Sequence, residues 1–103
     1  MADPMRIRAQ ASGSNAVVRV LMSHEMETGQ RKDATGKVVP AWHITNVTAA
    51  HNGKQVMSAE WGPAVAKNPF LQFTLKGAKA GDKVAVTWKD NKDDTRTDEA
   101  TVS

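Results

Sequence analysis

The chain has 103 residues, 40% hydrophobic and 24% charged, with a net charge of +3, a pI near 9.5 and no cysteine. This is the size and balance of one globular domain, expected to bury close to two-thirds of its surface, from roughly 16,000 Å² extended to about 5,700 Å² folded. A cysteine-free chain has no disulfide, thiolate nucleophile, Cys-ligated zinc or iron–sulfur cluster. No apolar run reaches the roughly 18 residues of a membrane-spanning helix, and residues 1–11, with Asp3 and alternating arginines, do not read as a signal peptide.

Taken in order, the segments read as strands. Met5, Ile7, Ala9 and Ala11 alternate with Arg6, Arg8, Gln10 and Ser12, a period of two. Gly13-Ser14-Asn15 predicts a turn, and Ala16 to Ser23 a second strand. Ala16, Val18, Val20 and Met22 form one of its faces, while Val17 and Leu21 populate the other. A strand apolar on both faces is central or covered by something else, such as a partner. From Glu25 to Val39 the alternation stops; Asp33-Ala34-Thr35-Gly36 has the spacing of a type I turn, so a projecting hairpin or long loop is expected.

Pro40 closes that excursion. Ala41 to His51 predicts a third strand, with a change of parity between Ile44 and Val47 that implies a bulge near Asn46. Asn52-Gly53 is a strong hairpin signal leading into Gln55 to Trp61, which Gly62-Pro63 terminates. Asn68-Pro69 opens a strand with Leu71, Phe73 and Leu75 on one face. Val84, Val86 and Trp88 define the next, Asp90-Asn91-Lys92-Asp93-Asp94 reads as a solvated hairpin tip, and Thr95 to Val102 is the last strand. About seven short strands with no helical period predict an all-β, immunoglobulin-like β-sandwich of antiparallel strands. A partly closed five-stranded barrel is the alternative, and Trp88 and Phe73 are the expected core aromatics.

The residues offer little for catalysis. His24, His43 and His51 lie on separate segments, and no serine sits in a nucleophile elbow. His43 and His51 read as surface or interface residues. The acidic cluster of Asp90, Asp93, Asp94, Asp98 and Glu99 fails the calcium-loop spacing. Basic residues are spread without aromatic interleaving, so neither nucleic acid nor a membrane is an expected partner. Met22, His24 and Met26 alternate on one strand face and could offer Cu(I) two thioethers and an imidazole. The plainer reading is a strand edge with buried methionines and an exposed histidine. Trp61-Gly62-Pro63 and Lys67-Asn68-Pro69-Phe70 bracket a stiff aromatic loop, which suits a binding surface or merely caps the core.

Several of these blocks carry a resemblance. Ser23-His24-Glu25-Met26-Glu27-Thr28-Gly29, Lys32-Asp33 with Gly36-Lys37 and Pro40-Ala41, Gly62-Pro63, Lys67-Asn68-Pro69-Phe70-Leu71, and Lys76-Gly77-Ala78-Lys79-Ala80-Gly81-Asp82 resemble the SoxZ family of bacterial thiosulfate oxidation. Glu25 departs from the family, which commonly has proline there. The resemblance implies a non-catalytic, cofactor-free subunit that binds SoxY, whose C-terminal cysteine carries sulfur intermediates while other Sox enzymes act on them in turn. It also implies a periplasmic location, reached by export of the folded pair on the partner's twin-arginine signal. With Met22, His24, Met26, Glu27, Thr28, Trp61, Pro63, Asn68, Pro69 and Phe70 as the expected partner-binding residues, the isolated chain is expected to be capable of forming a homodimer. A small copper-handling sandwich is the competing reading.

Overall fold

Period-two alternation dictates sheets, and the sheets form as the pattern requires. A computed structural model describes residues 4–62, 65 and 68–103, and these residues contain seven strands and no helix. The strands are β1 (Arg6–Ser12), β2 (Asn15–Leu21), β3 (Ile44–His51), β4 (Lys54–Glu60), β5 (Phe70–Lys76), β6 (Lys83–Asp90) and β7 (Thr95–Thr101). One antiparallel sheet has the order β1-β2-β5 and the other the order β4-β3-β6-β7. This is the expected immunoglobulin-like sandwich, in the arrangement whose fourth strand pairs with the third rather than the fifth; the barrel alternative is not the fold. Asn52 and Gly53 both have positive φ, 49° and 85°, the requirement of the two-residue turn that joins β3 to β4.

The inner faces are the alternating apolar sets. Ala16, Val18, Val20 and Met22 from β2 and its continuation meet Val84, Val86 and Trp88 from β6, all essentially sealed from solvent. Each large aliphatic side chain buried in this way contributes roughly 1.5–3 kcal/mol. The register of β3 against β6 slips between Ile44 and Asn46, as the parity change predicts, so that Ile44 and Val47 both point inward. Phe73 packs only at the margin of this core, less deeply than expected. The larger Trp88 is 1% exposed and packs its ring edge-on against His24, towards the end of β6.

The segment between β2 and β3 is a long arm. Glu27 and Trp42 exchange both backbone hydrogen bonds, at 2.7 and 3.0 Å, and Val39 N–H donates to the Arg31 carbonyl at 2.7 Å. The tip closes as the predicted turn: Gly36 N–H donates to the Asp33 carbonyl at 3.0 Å, and Asp33 Oδ1 accepts from the Thr35 amide and hydroxyl and from the Lys37 amide. Glu27 and Arg31 form a two-pronged pair along one leg. Where the legs converge, Gly29 has φ +86°, and a Cβ there would lie 3.2 Å from that of Ala41. The arm stretches the molecule to 53 × 21 × 20 Å, with a radius of gyration of 15.5 Å against about 13 Å for a compact chain of this length. The accessible surface, 6412 Å², exceeds the scaling expectation of about 5,700 Å² for the same reason.

Candidate functional site

At the end of the sandwich where β2 and β6 finish and β3 and β5 start, the chain leaving β2 lays His24 over the end of β6. His24 is 6% exposed. Its Nε2 lies 2.9 Å from Asp90 Oδ2, and its Nδ1 faces the Glu25 carbonyl. The imidazole stands edge-on to two indoles, Trp42 at 5.0 Å and Trp88 at 4.8 Å between ring centroids. Asn68, with φ +52°, holds the His24 backbone from the other side. Its Oδ1 accepts the His24 N–H and its own N–H donates to the His24 carbonyl, both at 3.0 Å.

Asp90 is the hub of this cluster. Besides His24, it accepts Trp42 Nε1–H on Oδ2 and the amides of Lys92 and Asp94 on Oδ1, each at 2.9 Å. A buried carboxylate requires such a full set of donors. Asn91 grips the arm's second leg, accepting the His43 N–H at 2.8 Å and donating from Nδ2 to the Ala41 carbonyl at 2.7 Å. Lys92 places its ammonium 4.3 Å from the Trp42 ring centroid, a cation–π contact. Both legs of the arm are thus fastened to the β6–β7 turn. A His–Asp pair is part of a catalytic triad, but both His24 nitrogens face oxygen acceptors here, and no hydroxyl bonds to the ring among the described residues. The cluster is built as a fastener.

Burial pushes the Asp90 carboxyl up, but the hydrogen bonds from His24, Trp42 and the Asp94 and Lys92 amides outweigh it and hold the group below the usual carboxylate range. The Arg96 hydrogen bond, aided by the Met5 amide, lowers Asp98 against its own burial. The His51 hydrogen bond, with the Lys79 amide and Asn52, brings Asp82 down to about 2. A carboxylate with a folded value below its unfolded one adds stability that is complete above the unfolded value, about 3.9, and is lost as pH falls through the folded value. Urea midpoints followed by tryptophan fluorescence should therefore hold steady down to about pH 5 and drop steeply below about pH 4. A midpoint unchanged at about pH 3 would contradict the assignment.

The residues expected to bind a partner fall into distinct places. Met22 is wholly in the core, and Pro69 is buried with its carbonyl accepting the Met22 N–H at 3.0 Å. Met26 is half-buried, its sulfur accepting the Ile44 N–H at 3.5 Å. Glu27 and Thr28 lie at the base of the arm, where Thr28 Oγ1 accepts the Gln30 N–H at 3.1 Å. Trp61 packs partly against the core and donates its N–H to the Thr45 carbonyl at 2.8 Å. Pro63 lies outside the described residues. Asn68 braces His24, while Phe70 projects from the outer face of the β1-β2-β5 sheet, 58% exposed. Across β2 it stands opposite Leu21, which is 42% exposed.

Three expectations are corrected. His24 is not on an exposed strand edge, because Asp90 offers its ring a buried anion. Asp90 is not part of a solvated tip: its side chain turns inward, with 1% exposure. His43 and His51 are half-buried; His51 Nε2 bonds Asp82 at 2.8 Å, and His43 Nδ1 is buried without a partner among the described residues. The copper arrangement also meets a geometric obstacle. A metal would have to displace the hydrogen-bond partners from the His24 nitrogens and from the Met26 sulfur, and no cluster of three or more His, Asp or Glu side chains suited to a metal occurs among the described residues.

Comparison with known proteins places this geometry. Among solved structures, a superoxide reductase in the oxidized state is similar at a TM-score of 0.66 and 20% identity, covering 99% of this chain and 89% of that one. A superoxide reductase (neelaredoxin) from Archaeoglobus fulgidus is similar at 0.61 and 20% identity, covering 97% and 86%. These likenesses establish the sandwich fold. No curated protein matches the chain. The family model of the sulphur oxidation protein SoxZ, in contrast, matches residues 5–101, nearly the whole length. The chain therefore belongs to the SoxZ family and serves the Sox system of sulfur oxidation.

Proposed function

We propose that the protein is a non-catalytic platform subunit that binds a SoxY-type partner and positions its C-terminal carrier cysteine, in the periplasm, for successive Sox enzymes. The observation that carries this reading is the pair of large apolar side chains left exposed side by side, Leu21 and Phe70, on the outer face of a sheet whose inner face is already filled. Exposed apolar neighbours at a sheet surface are the usual anchors of a protein interface. The fastened arm beside them supplies a second contact element, so that together they can contribute to a standard interface of about 1,200–2,000 Å². Without its partner the same patch favours self-association into a homodimer.

Co-expression with a SoxY-type protein, followed by native mass spectrometry, tests the reading. A one-to-one complex, with sulfur adducts on the partner's cysteine, is the expected result; two proteins that migrate separately would refute it. Within the complex, Phe70→Ala should weaken binding about tenfold or more while changing the chain's own stability by no more than about 0.5 kcal/mol, because the ring lies outside the core. Equal losses in calorimetric melting and in binding would place the ring in the fold instead.

A further inference from the structure

The outer face of the β1-β2-β5 sheet carries a charge pattern that apolar docking alone does not require. None of the three strands contains an aspartate or glutamate, although the chain has 11. Arg6, Arg8 and Arg19 all project from this face into solvent. In the strand register Arg8 stands directly opposite Arg19, and Arg6 opposite Leu21. Like charges in directly opposed positions weaken a sheet, so this pair carries a cost in the free protein. Gln72, opposite Arg19, accepts its Nε–H at 3.3 Å. This steadies the guanidinium while leaving its outer N–H groups available, and no ion pair reaches Arg6, Arg8 or Arg19 among the described residues. Together with Leu21 and Phe70 the arginines line a groove of about 270 Å³.

We infer that this groove docks an extended acidic segment of a protein partner, its carboxylates on Arg8 and Arg19 and an apolar side chain between Leu21 and Phe70. The spacing fits such a segment. The Arg8–Arg19 row and the Leu21–Phe70 row are two residues apart along the strands, about 6.6 Å, which is also the distance between side chains i and i+2 on one face of an extended peptide. An acidic residue, any residue, then an apolar one satisfies both rows at once. A free oxyanion would engage the arginines and leave Leu21 and Phe70 in water, so a peptide accounts for more of the face. The inference names the chemistry of the segment a platform subunit would hold, and to that extent rests on the platform reading.

The test is a ¹⁵N NMR titration of the full chain with the acetylated peptide Ser-Glu-Ser-Leu-Ser-Glu-Ser, which presents Glu, Leu and Glu on one face. Amide shifts should concentrate in β1, β2 and the start of β5, and the affinity should fall about fivefold or more when salt is raised from about 20 to about 200 mM. The variant Arg8→Gln/Arg19→Gln, or a peptide with glutamine for glutamate, should lose about tenfold. Lys76→Gln, at the far end of the same face, should bind as the parent does. Equal binding of the glutamine peptide, shifts elsewhere in the molecule, or no shifts at all would overturn the inference. So would reproduction of the full shift pattern by sodium thiosulfate or sulfate, which would mark an anion site instead of a peptide groove. The mass-spectrometric complex separates the two readings. If it forms equally well with Arg8→Gln/Arg19→Gln at any salt, the groove assignment fails and the platform stands; peptide binding without any complex would refute the platform alone.

Discussion

Replacing Asp90 with alanine should destabilise the protein by about 3–5 kcal/mol, because several donors lose one shared buried acceptor and each donor left unmet costs about 1–3 kcal/mol. The variant leaves the His24 Nε2, the Trp42 indole N–H and the Lys92 and Asp94 amides without their shared acceptor, the first fully buried and the others partly so. In a domain of this size such a loss lowers the melting temperature by about 15–30 °C, which circular dichroism would record directly. Asp90→Asn should fall between the parent and alanine. Its carbonyl can still accept the two backbone amides, but its NH₂ then faces the donors of His24 and Trp42. Hydrogen exchange adds a local readout, since the Glu27 and Trp42 amides that pair at the arm's base should lose protection even where the sandwich persists. A loss under about 1 kcal/mol would mean that water reaches the cluster and satisfies those donors in place of the carboxylate.

Trp88→Ala should be comparably severe, about 3–5 kcal/mol, because the indole is almost completely buried and packed surroundings relax only partly into the cavity left behind. Trp88→Phe separates packing from polarity. The Trp88 Nε1–H is buried without a hydrogen-bond partner among the described residues, so phenylalanine removes an unmet donor along with part of the volume. It should cost only about 1–2 kcal/mol, read as a shift in urea midpoint at constant slope. A phenylalanine variant as unstable as alanine would show that the indole N–H has a partner, such as a bound water, whose loss matters.

Sequence alternation predicted the sheets because each strand's inner face could be counted residue by residue, and Asn52-Gly53 and Asp33 to Gly36 fixed their turns by backbone chemistry alone. The bulge near Asn46 was visible as a change of parity. Asp90 was not legible. Within its own neighbourhood it is one acid among several in a polar turn, and nothing local distinguishes it from Asp93, which does face solvent. Its burial comes from His24 and Trp42, 66 and 48 positions away. Phe70 could be picked out as an aromatic after two prolines, yet its exposure depends on which parity of β5 faces the core, and Leu71, Phe73 and Leu75 take that side. The arginine face is divided in the sequence between strands that meet only through the pairing of β1 with β2.

The fastening of the arm to the β6–β7 turn also orders events on the ribosome. The arm's own hairpin, closed by Glu27 and Trp42, can form as soon as residues 25–42 have emerged. Its attachment must wait for Asp90 and Asn91, which are translated dozens of residues later. At about 5–20 residues per second, the nascent chain spends several seconds with both legs of the arm present but unfastened beside an unfinished sandwich. Over that interval His24 and Trp42 are open to chaperones and proteases, and completion of the last hairpin closes the interval.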